Sequence, residues 1–160
     1  MDTHGPRWLN AEEKQTWLSL TAMVINLSNA LDTQLQRDAG ISHFEYQVLA
    51  TLSEAAERTM RMSDLAILTN GSLSRLSHVV KRLEKQGWVR RAPDPDNGRY
   101  TLAILIEAGW EKVVATAPGH VEEVRRLVLD PLTQTQQRAL RAIGHRVNEA
   151  VDPTDTRRLD

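Results

Sequence analysis

Within residues 70–88, NGSLSRLSHVVKRLEKQGW, five donor-bearing side chains recur at helical spacing: Ser74, Arg75, His78, Lys81 and Arg82. Leu73, Leu76, Val80 and Leu83 fall three and four residues apart between them. An apolar stripe of that period is one face of a helix, so the serine, histidine and cations share the opposite face. Hydroxyl, imidazole, ammonium and guanidinium groups all donate hydrogen bonds, and the last two carry a positive charge at neutral pH. Ranged along one face, they suit an extended anionic partner with many acceptors. They do not suit catalysis. No local signature pairs a serine and a histidine as nucleophile and base, and NGSLS lacks the glycine and lysine spacing of a phosphate loop.

Such a face needs a helix with fixed ends and a scaffold beneath it. Asn70-Gly71 is a turn signal, Ser72 is an N-cap, and Gly87 closes the helix. WVRRA then reads as a strand, PDPDNG as a turn and RYTLAILI as a second strand, together a hairpin with Arg99 at or near its tip. Upstream, residues 11–38 form one long helix. Trp17, Leu20, Val24, Leu27, Leu31 and Leu35 make one stripe, and Leu18, Met23 and Ile25 a second face, so this helix needs more than one packing surface. Gly40 ends it, and Ser42 with Glu45 forms a capping box for a helix over 42–54 that buries Phe44, Val48, Leu49 and Leu52. MSDLAILTN is a short helix with Leu65, Ala66 and Leu68 inward. Downstream, residues 107–129 are helical with an expected kink or break at Pro118-Gly119. Asp130-Pro131 stops that segment. TQTQ at 133–136 caps a last helix reaching Val151, and residues 152–160 read as a frayed tail.

The chain's 160 residues are enough for one domain with a real core, and 41% hydrophobic with 26% charged residues is ordinary globular composition. Apolar runs are too short for a transmembrane helix, and MDTHGPRWLN lacks a cationic-then-apolar leader, so the cytoplasm is the expected location. The absence of cysteine excludes disulfides, thiolate catalysis and cysteine redox sensing. His4, His43, His120 and His145 show no spacing that puts two ligands on one helical turn, so no metal or other cofactor is expected. A net charge of −1 hides a segregation. Residues 61–101 hold eight Lys/Arg against four Asp/Glu, whereas residues 1–60 hold four against eight. The positive charge collects around the polar-faced helix.

Helix, helix, helix, turn, helix, hairpin, helix, helix is the order of a helix-turn-helix followed by a two-stranded wing. In that arrangement the polar face of the fourth helix presents donors to base edges and phosphates of a DNA major groove. An arginine on the wing suits the negative potential of the adjacent minor groove. The expected DNA-binding set is therefore Ser72, Ser74, Arg75, His78, Lys81, Arg82 and Arg99. Arg75 and His78 are placed near the middle of the polar face, to read bases. Lys81 and Arg82 are placed a turn later, to hold the backbone. A winged helix used only for protein–protein contact is the alternative, and the cationic face argues against it.

EYQVLATL, LAILTNGSLSRLSHVVKRLEKQGWV, DPDNGRYTLAILIEAG and PLTQTQQRALRAI, in this order and at these distances, resemble the MarR family of winged helix-turn-helix transcription regulators over residues 15–150. The resemblance implies a mainly α homodimer. Residues 11–38 and 107–151 would be the dimerisation helices, and 42–106 a winged helix-turn-helix lobe with a two-stranded β wing. It implies a transcription regulator, expected to be a repressor, on a near-palindromic operator. A small aromatic or phenolic effector is expected between the dimer helices and the lobe, with Trp17, Met23, His43, Tyr46 and Trp110 as candidate contacts. The first and last helices independently favour pairing, since their apolar surface is large for a single chain to hide. Four positions depart from the family pattern. Asn97 stands where an aspartate often precedes the wing arginine, Ile106 where a threonine is common, His78 where an arginine is common, and Arg75 where a small residue is common. If an aspartate–arginine contact fixes the wing, Asp96 has to replace the missing aspartate or the wing is looser.

Overall fold

The computed structural model describes residues 5–152, so the expected tail lies outside the described residues except for Asp152. Helix α1 spans Ala11–Ala39 and ends at Gly40, whose φ of 67° is left-handed. Helix α2, His43–Glu54, begins with the expected capping box: Ser42 Oγ accepts the Glu45 N–H and the Glu45 carboxylate accepts the Ser42 N–H. A tight bend at Ala56–Arg58 leads into strand β1, Thr59–Arg61, then helix α3, Met62–Leu68, and helix α4, Leu73–Lys85. Gly87, with φ of 72°, turns the chain out of α4. Strands β2, Val89–Pro93, and β3, Thr101–Leu105, form the wing. Helix α5 covers Glu107–Val124, a π-helical turn Arg125–Leu129, and helix α6 Gln134–Val151, capped by Thr133 and Gln136 as expected.

The sheet has three antiparallel strands in the order β1-β3-β2, with Met60 opposite Ala103 and Arg91 opposite the same residue from the other side. Sequence reading finds only the hairpin, because three residues carry too short an alternation to register as a strand. The third strand ties the wing to the bend before α3.

The lobe's core is Phe44, Val48, Leu49 and Leu52 of α2, Leu65 and Ala66 of α3, Leu76, Val79, Val80 and Leu83 of α4, and Val89, Ala103 and Leu105 of the sheet. Two expected core residues face outward. Leu68 and Leu73 are exposed, and Thr69 and Val79 are buried instead. Period alone does not separate Val79 from Leu73, since at about 100° per residue they lie on opposite sides of the arc defined by Leu76, Val80 and Leu83. Leu73, the first residue of α4, opens toward the wing. The buried Thr69 hydroxyl is satisfied by donating to the Leu65 carbonyl at 2.7 Å.

The kink or break expected at Pro118-Gly119 is not a break: α5 runs through both residues, and the departure from α geometry comes later, at Arg125–Leu129. Pro118 is exposed, so water can serve the carbonyl its missing N–H leaves free. Helices α1, α2 and α5 are pinned at named points. The Asp32 carboxylate accepts the His43 N–H at 2.8 Å, and Lys112 Nζ donates to the Ala39 carbonyl at 2.6 Å. The first half of α1 and all of α6 have no buried residue within one chain. Among the described residues no helix is long and apolar enough to cross a membrane.

Candidate nucleic-acid interface

Helix α4 buries one side so fully that its other side divides by angle alone. Ser74, His78, Lys81 and Lys85 form the crest opposite the core and are exposed. Arg75 and Arg82 occupy the flank over α2, and Leu73, Ser77 and Glu84 the flank over the wing. This corrects the placing of Arg75 in the middle of the polar face. Its guanidinium lies over the Phe44 ring, with Cζ 4.0 Å from the centroid. Arg82 Nε donates to Glu45 Oε1 at 3.0 Å, so Arg82 is paired to the residue that caps α2. Ser72 Oγ accepts the Arg75 N–H at 3.1 Å, which fixes the first turn. Ser74, His78 and Lys81 have no side-chain partner among the described residues and stand open.

The wing is held by Asp94, which is buried. It accepts the Asp96 N–H at 3.0 Å and Arg61 Nε at 2.8 Å. The Asp96 N–H, followed by the Arg61 guanidinium against the cost of burial, holds the Asp94 carboxyl below its ordinary value. Arg61 also lies over the Tyr100 ring, 4.5 Å from its centroid. The missing wing aspartate is therefore not replaced by Asp96. Asn97 Oδ1 accepts the Arg99 backbone N–H at 3.2 Å, a local turn bond that any Asx residue can make. The Arg99 side chain has no ion pair with Asp94 or Asp96 and none with any other described residue. It borders a cleft of about 270 Å³ between α4 and the wing, shared with Ser63, Leu73, Ser77, Arg91 and Tyr100.

The five expected effector contacts do not converge within one chain. Trp17 and Met23 are exposed on the outer half of α1. Trp110 packs against the core under the Arg58 guanidinium, 4.3 Å from its ring centroid. Tyr46 and His43 gather instead around His120 of α5, with ring centroids 4.6 Å and 5.7 Å away. Gln34 Oε1 lies 3.2 Å from His120 Nδ1, so α1, α2 and α5 all meet at this ring. Burial pushes both imidazoles below their ordinary value. Asp32 partly opposes this at His43, and the charge of His43 adds to it at His120. Beside this cluster a groove of about 410 Å³ runs between α1, α2 and α4, bordered by Asn29, Asp32, His43, Gln47 and Arg75. Among the described residues no group of three or more His, Asp or Glu is arranged to hold a metal ion.

Sequence reasoning missed Phe44 as a support for Arg75, Arg61 as the wing's anchor, Ser77 and Arg91 in the cleft, and His120 as the partner of His43. Only Ser77 and Arg91 left a local signal, as polar residues beside the helix crest and on the wing. The rest are contacts between residues 31 to 77 positions apart, which local periodicity does not carry.

A model of the MarR family matches residues 41–101, the lobe just described. The MarR family transcriptional regulator Sco3205 of Streptomyces coelicolor, solved in complex with DNA, is 45% identical, covers 97% of both chains and superposes with a TM-score of 0.91. AbsC, a MarR family transcriptional regulator from the same organism, is 34% identical over 93% of this chain and all of its own, with a TM-score of 0.88. The HTH-type transcriptional regulator YdcH of Bacillus subtilis is 31% identical over 80 residues, about half the length of either chain. With the winged helix in place and these likenesses extending over nearly its full length, the chain belongs to the MarR family of transcription regulators.

Proposed function

We propose that this regulator binds a near-palindromic operator as a homodimer and represses transcription by occupying it. The observation that carries this reading is the unpartnered crest of α4, Ser74, His78 and Lys81, together with the unpaired Arg99 on the wing. The 45% identical relative was solved with DNA, which supports the same use here. Two copies related by a twofold axis would set their α4 helices about one DNA turn apart, roughly 34–36 Å. The helices spanning 11–38 and 107–151 are the proposed dimerisation elements, around the lobe at 42–106. Trp17, Leu18, Met23, Val24, Ile25, Ile143 and Val147 leave a large exposed apolar surface on them.

In this reading Ser74 and His78 meet base edges from the crest and Arg75 reads a base from the flank. Lys81 holds phosphate, Ser72 and the outer N–H groups of Arg82 support it, and Arg99 enters the minor groove. Release by a small aromatic or phenolic effector fits the groove beside His43 and Arg75. Trp17 and Met23 belong to the face that a second copy would cover. Such a ligand acts only as far as it prefers a lobe spacing that does not match the operator.

Selection of bound sequences from random DNA with the full-length protein tests the reading at once. A twofold-symmetric consensus is expected, and recovery of no consensus would favour the protein–protein alternative. On the selected operator, Arg75→Ala should weaken binding far more than on random DNA, since a bidentate arginine–guanine pair discriminates by about 1–3 kcal/mol. Lys81→Ala should weaken both alike and make the log–log salt slope shallower by about 0.9 per contact, roughly 1.8 for a dimer.

A further inference from the structure

Phe44 touches two structures at once. Its ring is buried under the Arg75 guanidinium, with Cζ of the arginine 4.0 Å from the ring centroid. Its far edge fills the space beside Gly71 in the turn, where an added Cβ would meet Phe44 Cζ at 2.6 Å. The buried ring is therefore packed against backbone at its far edge while its face lies under the arginine. The Arg75 side chain makes no ion pair or hydrogen bond with any described residue, so the ring is the support that fixes it.

We infer that Phe44 is a positioning residue for base recognition. Its ring face holds the Arg75 guanidinium at one place on the flank of α4 and leaves the N–H edge free to donate. This rests on reading Arg75 as a base-contacting residue. The physical case has two parts. A cation over an aromatic face at a partly exposed site is favoured about two- to fivefold over the released state. An arginine so held loses less side-chain freedom when it pairs with a base, whereas a released one is free to pair with the nearest phosphate of any sequence. Phe44 would thus raise the ratio of operator to random affinity without touching DNA.

Phe44 is the single phenylalanine of the chain, so biosynthetic replacement of phenylalanine by 2,6-difluorophenylalanine alters this ring alone. Fluorine draws density from the ring face and weakens its hold on a cation with little change in size. The substituted carbons lie away from the edge that meets Gly71. In the fluorinated full-length protein, operator affinity should fall about two- to fivefold with random-DNA affinity unchanged. In an Arg75→Ala background the same fluorination should change neither. Phe44→Leu, apolar but without a ring face, should narrow the ratio at least as much. An unchanged ratio in both Phe44 variants, an equal loss on both DNAs, or the same loss in the Arg75→Ala background would overturn the inference. If these fail while Arg75→Ala alone still narrows the ratio, the role of Phe44 is wrong and the base-reading assignment stands. If Arg75→Ala leaves the ratio intact, the base-reading assignment falls, and the role of Phe44 with it.

Discussion

In the lobe, Leu49, Leu52, Leu65, Leu76 and Leu83 are sealed within one chain, while along the first half of α1 Trp17, Leu18, Met23, Val24 and Ile25 stand in water, joined by Ile143 and Val147 of α6. Both regions are built from capped helices with apolar faces. They differ in what those faces meet. The lobe brings three helices and a three-stranded sheet onto a common centre, so each stripe finds another. The outer half of α1 and α6 meet no such centre, and α6 buries none of its residues. The lobe's order is thus complete in one copy. The relative position of two lobes would be set by the face that one copy leaves open, which suits a regulator whose reading depends on half-site spacing.

The sharpest way to break that contrast is to charge the open face. If the proposed dimer forms through this face, the unsubstituted protein should scatter light as twice 18.1 kDa, and Val24→Glu combined with Val147→Glu should reduce it to a single chain and weaken operator binding more than tenfold. A variant that keeps the wild-type mass would remove these helices from the interface. Next in size, Leu76→Ala should cost about 2–5 kcal/mol, because a fully buried leucine leaves a cavity. Leu18→Ala should behave differently. Its cost should grow with protein concentration, since it would act through association and the melting temperature of a dimer depends on concentration. Equal, concentration-independent losses at both sites would erase the distinction.

Within the lobe, Asp94→Asn should loosen the wing by weakening the Arg61 bond, and should lower affinity for operator and random DNA alike, severalfold, with α4 intact by circular dichroism. A loss confined to the operator would instead make the wing a reader of sequence. The smallest expected effect is on pH. His43 and His120 titrate below 6.5 in the folded chain because burial disfavours their charged forms. The unfolded chain then binds more protons in that range, so stability should be full above about 6.5 and fall as pH drops through the folded values. His120→Gln should flatten that slope in urea titrations between pH 5 and 7.5. An unchanged slope would show that the ring cluster does not sense protons.

The sequence by itself determined the element order, the helix caps at Ser42, Ser72 and Thr133, the closing glycines 40 and 87, the polar face of α4 and the family. These follow from local rules: capping needs a side-chain oxygen within three residues, and a buried face needs a period near 3.6. Only the tertiary structure decided which of those residues are committed elsewhere. Arg82 is bound to Glu45, Arg75 rests on Phe44, Asp94 serves Arg61 rather than Arg99, and His43 meets His120. It also supplied β1, too short for a periodic signal, and turned Leu68 and Leu73 outward. Each of these depends on what lies across a packed interface, at sequence separations where the chain's local pattern carries no information and the geometry of neighbouring elements carries all of it.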